Sequence, residues 1–301
     1  MKKELLASAA VVAAVLVSIA PAMAQAPAPA PAEPAEPKPS YTLTGNMTIA
    51  TDYRFRGISQ TFGAGFFSVG PAIQGGIDWA HESGFYLGNW NSNVSGNTFP
   101  NGSSIEMDFY GGWKKTWDDW GLDVGTIYYL YPNAKYPSGP TNPITGRPIS
   151  FTSNTNNWEL YVGGSWKWFG LKYFYAVTDY FGLNQGAIVN WIGCNPSQFC
   201  LPQAPNGDTK GTQYLTGTFS YEIMPKLTLG ASIGYTWLRH YNAMDYFDYK
   251  VGVTYDLAGW LLGANLVGTD ADKKYWYAVN SAGTVRDVGT FGLVLSVGRT
   301  F

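Results

Sequence analysis

Twelve stretches of period-two alternation, joined by connections that are short and long in strict turn, constrain this 301-residue chain more than any single motif. The predicted strands run from Tyr41 to Phe55, Pro71 to His81, Gly84 to Trp90, Ser104 to Trp113, Gly121 to Leu130 and Trp158 to Trp168. They continue from Leu171 to Val177, Thr212 to Ile223, Lys226 to Trp237, Tyr246 to Leu257, Trp260 to Gly268 and Phe291 to Phe301. HESG, KKTWDDW, FG, MP and AG make the short connections, and the intervening ones are mostly much longer, Leu238 to Asp245 being the one modest member. An even set of antiparallel strands with tight turns at one rim and long loops at the other is the pattern of a bacterial outer-membrane barrel with periplasmic termini. Closure also leaves no sheet edge for hydrocarbon to desolvate. The chain therefore reads as all-β, a transmembrane antiparallel β-barrel.

Alternation within strands sets the faces. In the first strand Tyr41, Leu43, Met47, Ile49, Tyr53 and Phe55 oppose Thr42, Thr44, Asn46, Thr48, Asp52, Arg54 and Arg56. A water-soluble barrel would turn the apolar set inward. The many long strands, the rings of Trp and an amino-terminal signal peptide argue instead for lipid outside and polar side chains inside. Trp117, Trp120, Trp168 and Trp260 stand beside short turns, where an interfacial girdle belongs.

The ends agree with this placement. Residues 1–24 have Lys2 and Lys3, an apolar run from Leu5 and a small-residue ending at Ala22 and Ala24, the design of a cleaved secretory signal peptide. Residues 25–40 are rich in Pro and Ala and read as an extended periplasmic tether, with the barrel over 41–301. Beyond the signal peptide no run of about 18 apolar residues occurs, which excludes a helical membrane protein. A net charge of −2 without a basic patch excludes nucleic acid as a partner. The closing GLVLSVGRTF, ending in Phe301, resembles the insertion signal read by the barrel assembly machinery, although Arg299 stands where an apolar residue is usual.

Three front segments, ATDYRFRGISQT from Ala50, PAIQGGIDWAHESGFYLGNWNSNV from Pro71 and IEMDFYGGW from Ile105, resemble the opening hairpins of the TorF family of putative porins. The resemblance implies an outer-membrane barrel of porin character and brings no catalytic constellation. The Cys-containing loop and the Pro/Ala tether depart from it.

Strand phasing directs Asp52, Asp78, Glu106, Asp108, Asp123, Glu159 and Glu222 into the lumen, with Arg54, Arg56, Lys172 and Lys250. Such charges either form opposed walls that orient a passing solute or pair and fill the tube. Arg54 and Arg56 are expected to be supported by water. Two His residues, His81 and His240, lie in connections at opposite rims, so neither catalysis nor a metal or cofactor site is expected. Cys194 and Cys200 are the only cysteines, and an oxidising periplasm favours a disulfide over a free redox pair or a metal clip. The expected role is passive diffusion of small hydrophilic solutes; the alternative is a non-conducting barrel presenting its loops. Expected partners are outer-membrane lipid and lipopolysaccharide, periplasmic chaperones and the assembly machinery during biogenesis, and the solutes themselves. A monomer is expected, with oligomers left open.

Overall fold

The computed structural model describes residues 39–67, 69–98, 103–141, 148–184, 207–279 and 282–301, with backbone alone for 137–141 and 148–153. The strands are β1 (Tyr41–Ala50), β2 (Arg54–Phe55), β3 (Ile58–Ser59), β4 (Ala72–His81), β5 (Phe85–Asn93), β6 (Ile105–Trp117), β7 (Trp120–Leu130), β8 (Lys135–Thr141) and β9 (Pro148–Asn154). They continue as β10 (Asn157–Trp166), β11 (Phe169–Ala176), β12 (Gln213–Met224), β13 (Leu227–Trp237), β14 (Tyr246–Leu257), β15 (Trp260–Thr269), β16 (Tyr277–Val279), β17 (Val285–Asp287) and β18 (Gly292–Thr300). Twelve of them close a barrel in the order β1-β18-β15-β14-β13-β12-β11-β10-β7-β6-β5-β4. Among the described residues no helix is long and apolar enough to cross a membrane. The pairs β2–β3, β8–β9 and β16–β17 form separate hairpins within the long connections.

Tight turns at one rim follow from backbone permissiveness. Leu257 pairs with Trp260 across Ala258 and Gly259, both in the left-handed region at φ 55° and 86°, the geometry of a type I′ hairpin loop. Asp118, Lys167 and Lys226 adopt the same region in their own turns. Register sets the aromatic girdle beside them. Trp117 pairs with Trp120, Trp120 with Trp166, Trp166 with Phe169, and Phe169 with Phe219, so one row of rings follows the rim. Trp117, Trp120, Trp166, Trp168 and Trp260 are all exposed on the outer surface, where ring and N–H suit a lipid–water boundary.

Between the rims the outer face is apolar: Leu43, Ile49, Ile73, Ile77, Leu87, Val124, Leu160, Val162, Leu171 and Val251 are exposed. The inner face changes character along its length. Toward the long loops it is buried, as at Gln74, Ser92, Glu106, Asp108, Asn157 and Glu159. Toward the tight turns the same faces become half-buried or exposed, as at Asp78, Gly112, Lys114, Asp123 and Lys172. The bore is thus filled at one end and accessible at the other.

The predicted first strand differs from the observed one. β1 leaves the barrel wall after Ala50, and Asp52 bridges to Gly70 while residues 54–59 fold into the bore as the β2–β3 hairpin. The physical cause lies at Arg56 and Gly57, whose φ of 45° and 80° turn the chain between the paired Phe55 and Ile58. A flat strand cannot contain two such residues.

Candidate functional site

The hairpin reaches the far side of the barrel. In a ring of twelve, β11 lies six positions from β1 in either direction. The Arg56 guanidinium lies 5.3 Å from the Phe174 ring of β11 and 4.0 Å from the Tyr214 ring of β12. Its Nη2 donates to Glu159 Oε2 of β10 at 2.6 Å. Three strands opposite the hairpin's own root therefore hold its tip. The remaining contacts are the Tyr180 hydroxyl, accepting from Nη1 at 3.1 Å, and the rings of Tyr180 and Phe55 at 5.7 and 4.9 Å.

Each neighbour is placed by its own local structure. Glu159, Phe174 and Tyr214 share the inward parity of their strands. Gly234 of β13 has no Cβ, and the hydroxyl end of the Tyr214 ring occupies that space. Tyr180 comes from a short 3-10 turn, Tyr180–Gly182, that follows β11. That turn is anchored at the loop rim. The Asp179 carboxylate accepts from the backbone N–H of Thr209 and Lys210 at 3.1 and 3.2 Å, and Tyr180 N–H donates to Thr209 Oγ1 at 2.8 Å. Burial and the adjoining Asp208 carboxylate push the Asp179 carboxyl up to about 6.

Gly57 explains how closely the hairpin seats. A Cβ there would stand 3.0 Å from the Cβ atoms of both Asp248 on β14 and Thr269 on β15. The root is held as firmly as the tip. Arg54 pairs with Asp52, and its Nη1 donates to the carbonyls of Gly57, Val288 and Thr290 at 3.2, 3.2 and 2.9 Å. Asp52 Oδ1 accepts from the hydroxyls of Ser59 and Thr61, both at 2.7 Å.

Asp52, Arg54 and Arg56 lie on this crossing segment and not on a strand of the wall. Both arginines are buried by protein, in contrast to the expected water-supported charges, because the loop itself occupies that part of the bore. Glu106 and Asp108 face the same filled end from β6, and Tyr53 Oη donates to Glu106 Oε1 at 2.9 Å. Asp78, Asp123 and Lys172 lie in the accessible end. Lys172 Nζ meets Asp123 Oδ2 at 2.6 Å, Tyr86 Oη donates to Asp123 Oδ1 at 2.6 Å, and Tyr110 Oη donates to Asp78 Oδ1 at 2.5 Å. Lys250 is half-buried two residues along β14 from Asp248. Glu222 is exposed beside a tight turn, accepting from Lys226 N–H at 2.9 Å. Cys194 and Cys200 lie outside the described residues.

Sequence reasoning missed the aromatic wall around Arg56. Tyr129, Tyr161, Phe174, Tyr214 and Tyr246 all occupy inward parity and are buried. Large rings on a face otherwise lined by charged, polar and glycine residues were the available signal. His81 Nδ1 and Ser83 Oγ are 2.7 Å apart within one exposed tight turn. Among the described residues no three His, Cys, Asp or Glu side chains converge as metal ligands.

A closed, lipid-faced barrel with a charged, partly filled bore defines an integral barrel of the outer-membrane, porin-like class. Residues 34–301 match the family described as "Bacterial protein of unknown function (Gcw_chp)", and the chain belongs to that family. No curated protein matches it. Solved structures similar in fold include a "NanC porin structure in rhombohedral crystal form", with 10% identity and a TM-score of 0.49 over 86% of this chain and 99% of that one. A "KdgM porin" has 11% identity and a TM-score of 0.43 over 86% and 98%. "Outer-membrane expressed OmpT of Vibrio cholerae" has 11% and 0.36 over 87% and 97%. The fold assignment rests on the closed register of this chain's own strands.

Proposed function

We propose that the protein is an outer-membrane channel for passive diffusion of small hydrophilic solutes, a porin of the TorF type, whose narrowest section is the β2–β3 hairpin. The observation that carries this reading is the graded bore, in which the Lys172–Asp123 pair keeps 15% and 18% side-chain exposure while the Arg56–Glu159 pair keeps 5% and 1%. A paired Lys172 and Asp123 that keep contact with water at an accessible end offer charge to a polar solute, and the hairpin limits what goes further. In this reading the tight turns and both termini are periplasmic, the signal peptide and tether precede the barrel, and the long loops face outward. Lipid, lipopolysaccharide, periplasmic chaperones and the assembly machinery are its partners in that setting.

The firmness of the Arg56 crossing favours a second reading, a non-conducting barrel that presents its loops. Planar-bilayer conductance together with solute uptake into proteoliposomes separates the two. Discrete conductance steps with uptake of small sugars or amino acids are expected. Well-folded protein that gives neither would leave the structural barrel.

A further inference from the structure

The tip of the hairpin is unusual in its chemistry. An arginine at a positive φ does what Asn or Gly ordinarily does in a two-residue loop, and its side chain does not return to solvent. It enters a compartment built by other segments, where Glu159 supplies the carboxylate, Tyr180 a hydroxyl acceptor, and Tyr214, Phe174 and Tyr180 the ring faces. Three of these four side chains stand on barrel strands, so their placement is fixed by the wall and not by the hairpin. Carboxylate on one side and aromatic faces around is the arrangement that binds organic cations. A planar guanidinium suits it best, because it stacks on rings while its edge donates to carboxylate and hydroxyl.

We propose that Glu159, Tyr214, Phe174 and Tyr180 form a recognition site for a small solute bearing a guanidinium group, and that Arg56 occupies this site as an internal stand-in. The proposal deepens the channel reading and rests on it for the solute's route of entry. A guanidinium-bearing solute reaching the site competes with Arg56 for the same carboxylate and the same ring faces. Its binding displaces the hairpin tip. Neutral solutes of the same size gain nothing there, since the buried carboxylate would lose its cationic partner.

The test removes the stand-in and offers a replacement. Purified Arg56→Ala barrel in detergent is titrated with methylguanidinium chloride, with urea as the neutral planar control, by calorimetry and by the temperature at which its gel mobility shifts. Saturable methylguanidinium binding is expected for Arg56→Ala, with an upward shift of that temperature. Urea should not bind, and adding Glu159→Gln should weaken methylguanidinium by about tenfold or more. If Arg56→Ala does not fold, Arg56→Lys retains a cation for the carboxylate but lacks the planar fork, and methylguanidinium should bind it more tightly than wild type. Folded variants that bind no methylguanidinium, or bind urea equally well, overturn the proposal. Conductance is recorded on the same preparations. Binding with no conductance in any variant supports the site and removes the channel, while conductance with no binding keeps the channel and overturns the site.

Discussion

Arg56 and Glu159 meet at 2.6 Å across the bore, 103 residues apart in sequence, and this contact joins a hairpin tip to the opposite wall. Glu159→Gln leaves the Arg56 guanidinium buried without its carboxylate. The expected loss is about 3–5 kcal/mol, the usual consequence of removing one partner of a buried pair. A lowered urea midpoint in lipid vesicles, with raised conductance as the tip disengages, is the outcome to measure.

Gly57 permits the tip to seat against β14 and β15. Gly57→Val forces a branched residue to φ 80° and places its Cβ against Asp248 and Thr269. Backbone strain alone costs about 1–3 kcal/mol. Protease added to folded protein should then cut between residues 54 and 65, whereas Gly65→Ala, with φ 78° but open space around it, should stay resistant.

The loop rim carries a pH dependence. Asp179 has a carboxyl raised to about 6 by burial and by Asp208, so the folded rim holds a proton that the unfolded segment releases near its ordinary value of 3.8. Stability from this group is therefore present at low pH and is lost as pH rises through about 6. Asp208 is lowered, chiefly by its hydrogen bond to Asp179, and contributes in the opposite sense only below its ordinary range. Amide exchange at Thr209 and Lys210, corrected for intrinsic base catalysis, should be better protected at pH 5 than at pH 7.5. Asp179→Asn should flatten the difference.

The two faces of the wall should respond differently to charge. Val162 lies near the middle of β10 and is 47% exposed on the outer surface, so Val162→Arg should cost about 2–4 kcal/mol in a bilayer. Thr254→Arg, on the inward parity of β14, should cost much less and alter ion selectivity instead. Urea titrations in vesicles compare the first pair of values, and reversal potentials across a salt gradient test the second.

Cys194 and Cys200 are expected to be joined in the mature protein. Intact mass before and after reduction and alkylation decides this. Two thiols alkylated without reduction would refute the pairing.

The wall was legible in the sequence because lipid and water impose opposite demands on successive residues. Leu43 and Ile49 point out, and Thr44 and Thr48 follow the other parity, as alternation requires. The fate of residues 51–70 was not legible by the same means. Tyr53, Phe55, Asp52 and Arg54 continue the alternation of β1 after the chain has left the wall, because a hairpin inside the bore also has two faces. Only the Arg56–Gly57 pair marked the turn. Burial of Arg54 and Arg56 was hidden for a related reason: parity assigns a side chain to the interior but does not say whether water or another segment fills it. The aromatic site was likewise split between three strands and a loop, and only the ring closure brings Glu159, Phe174, Tyr214 and Tyr180 together.

The ladder between β1 and β18 has five register pairs, against ten between β1 and β4. It is extended by a bond from Thr51 N–H to Leu295 O at 2.9 Å and by the exchange between Gly45 and Phe301. The hairpin springs from the end of β1, and Arg54 bonds to Val288 and Thr290 just before β18. It therefore acts as a rivet over the barrel's seam. Drawing the whole segment out of the bore would also unpin the weakest joint in the cylinder, whereas releasing the Arg56 tip alone leaves the rivet in place. The tip can thus part from Glu159 without the cylinder coming apart along its side.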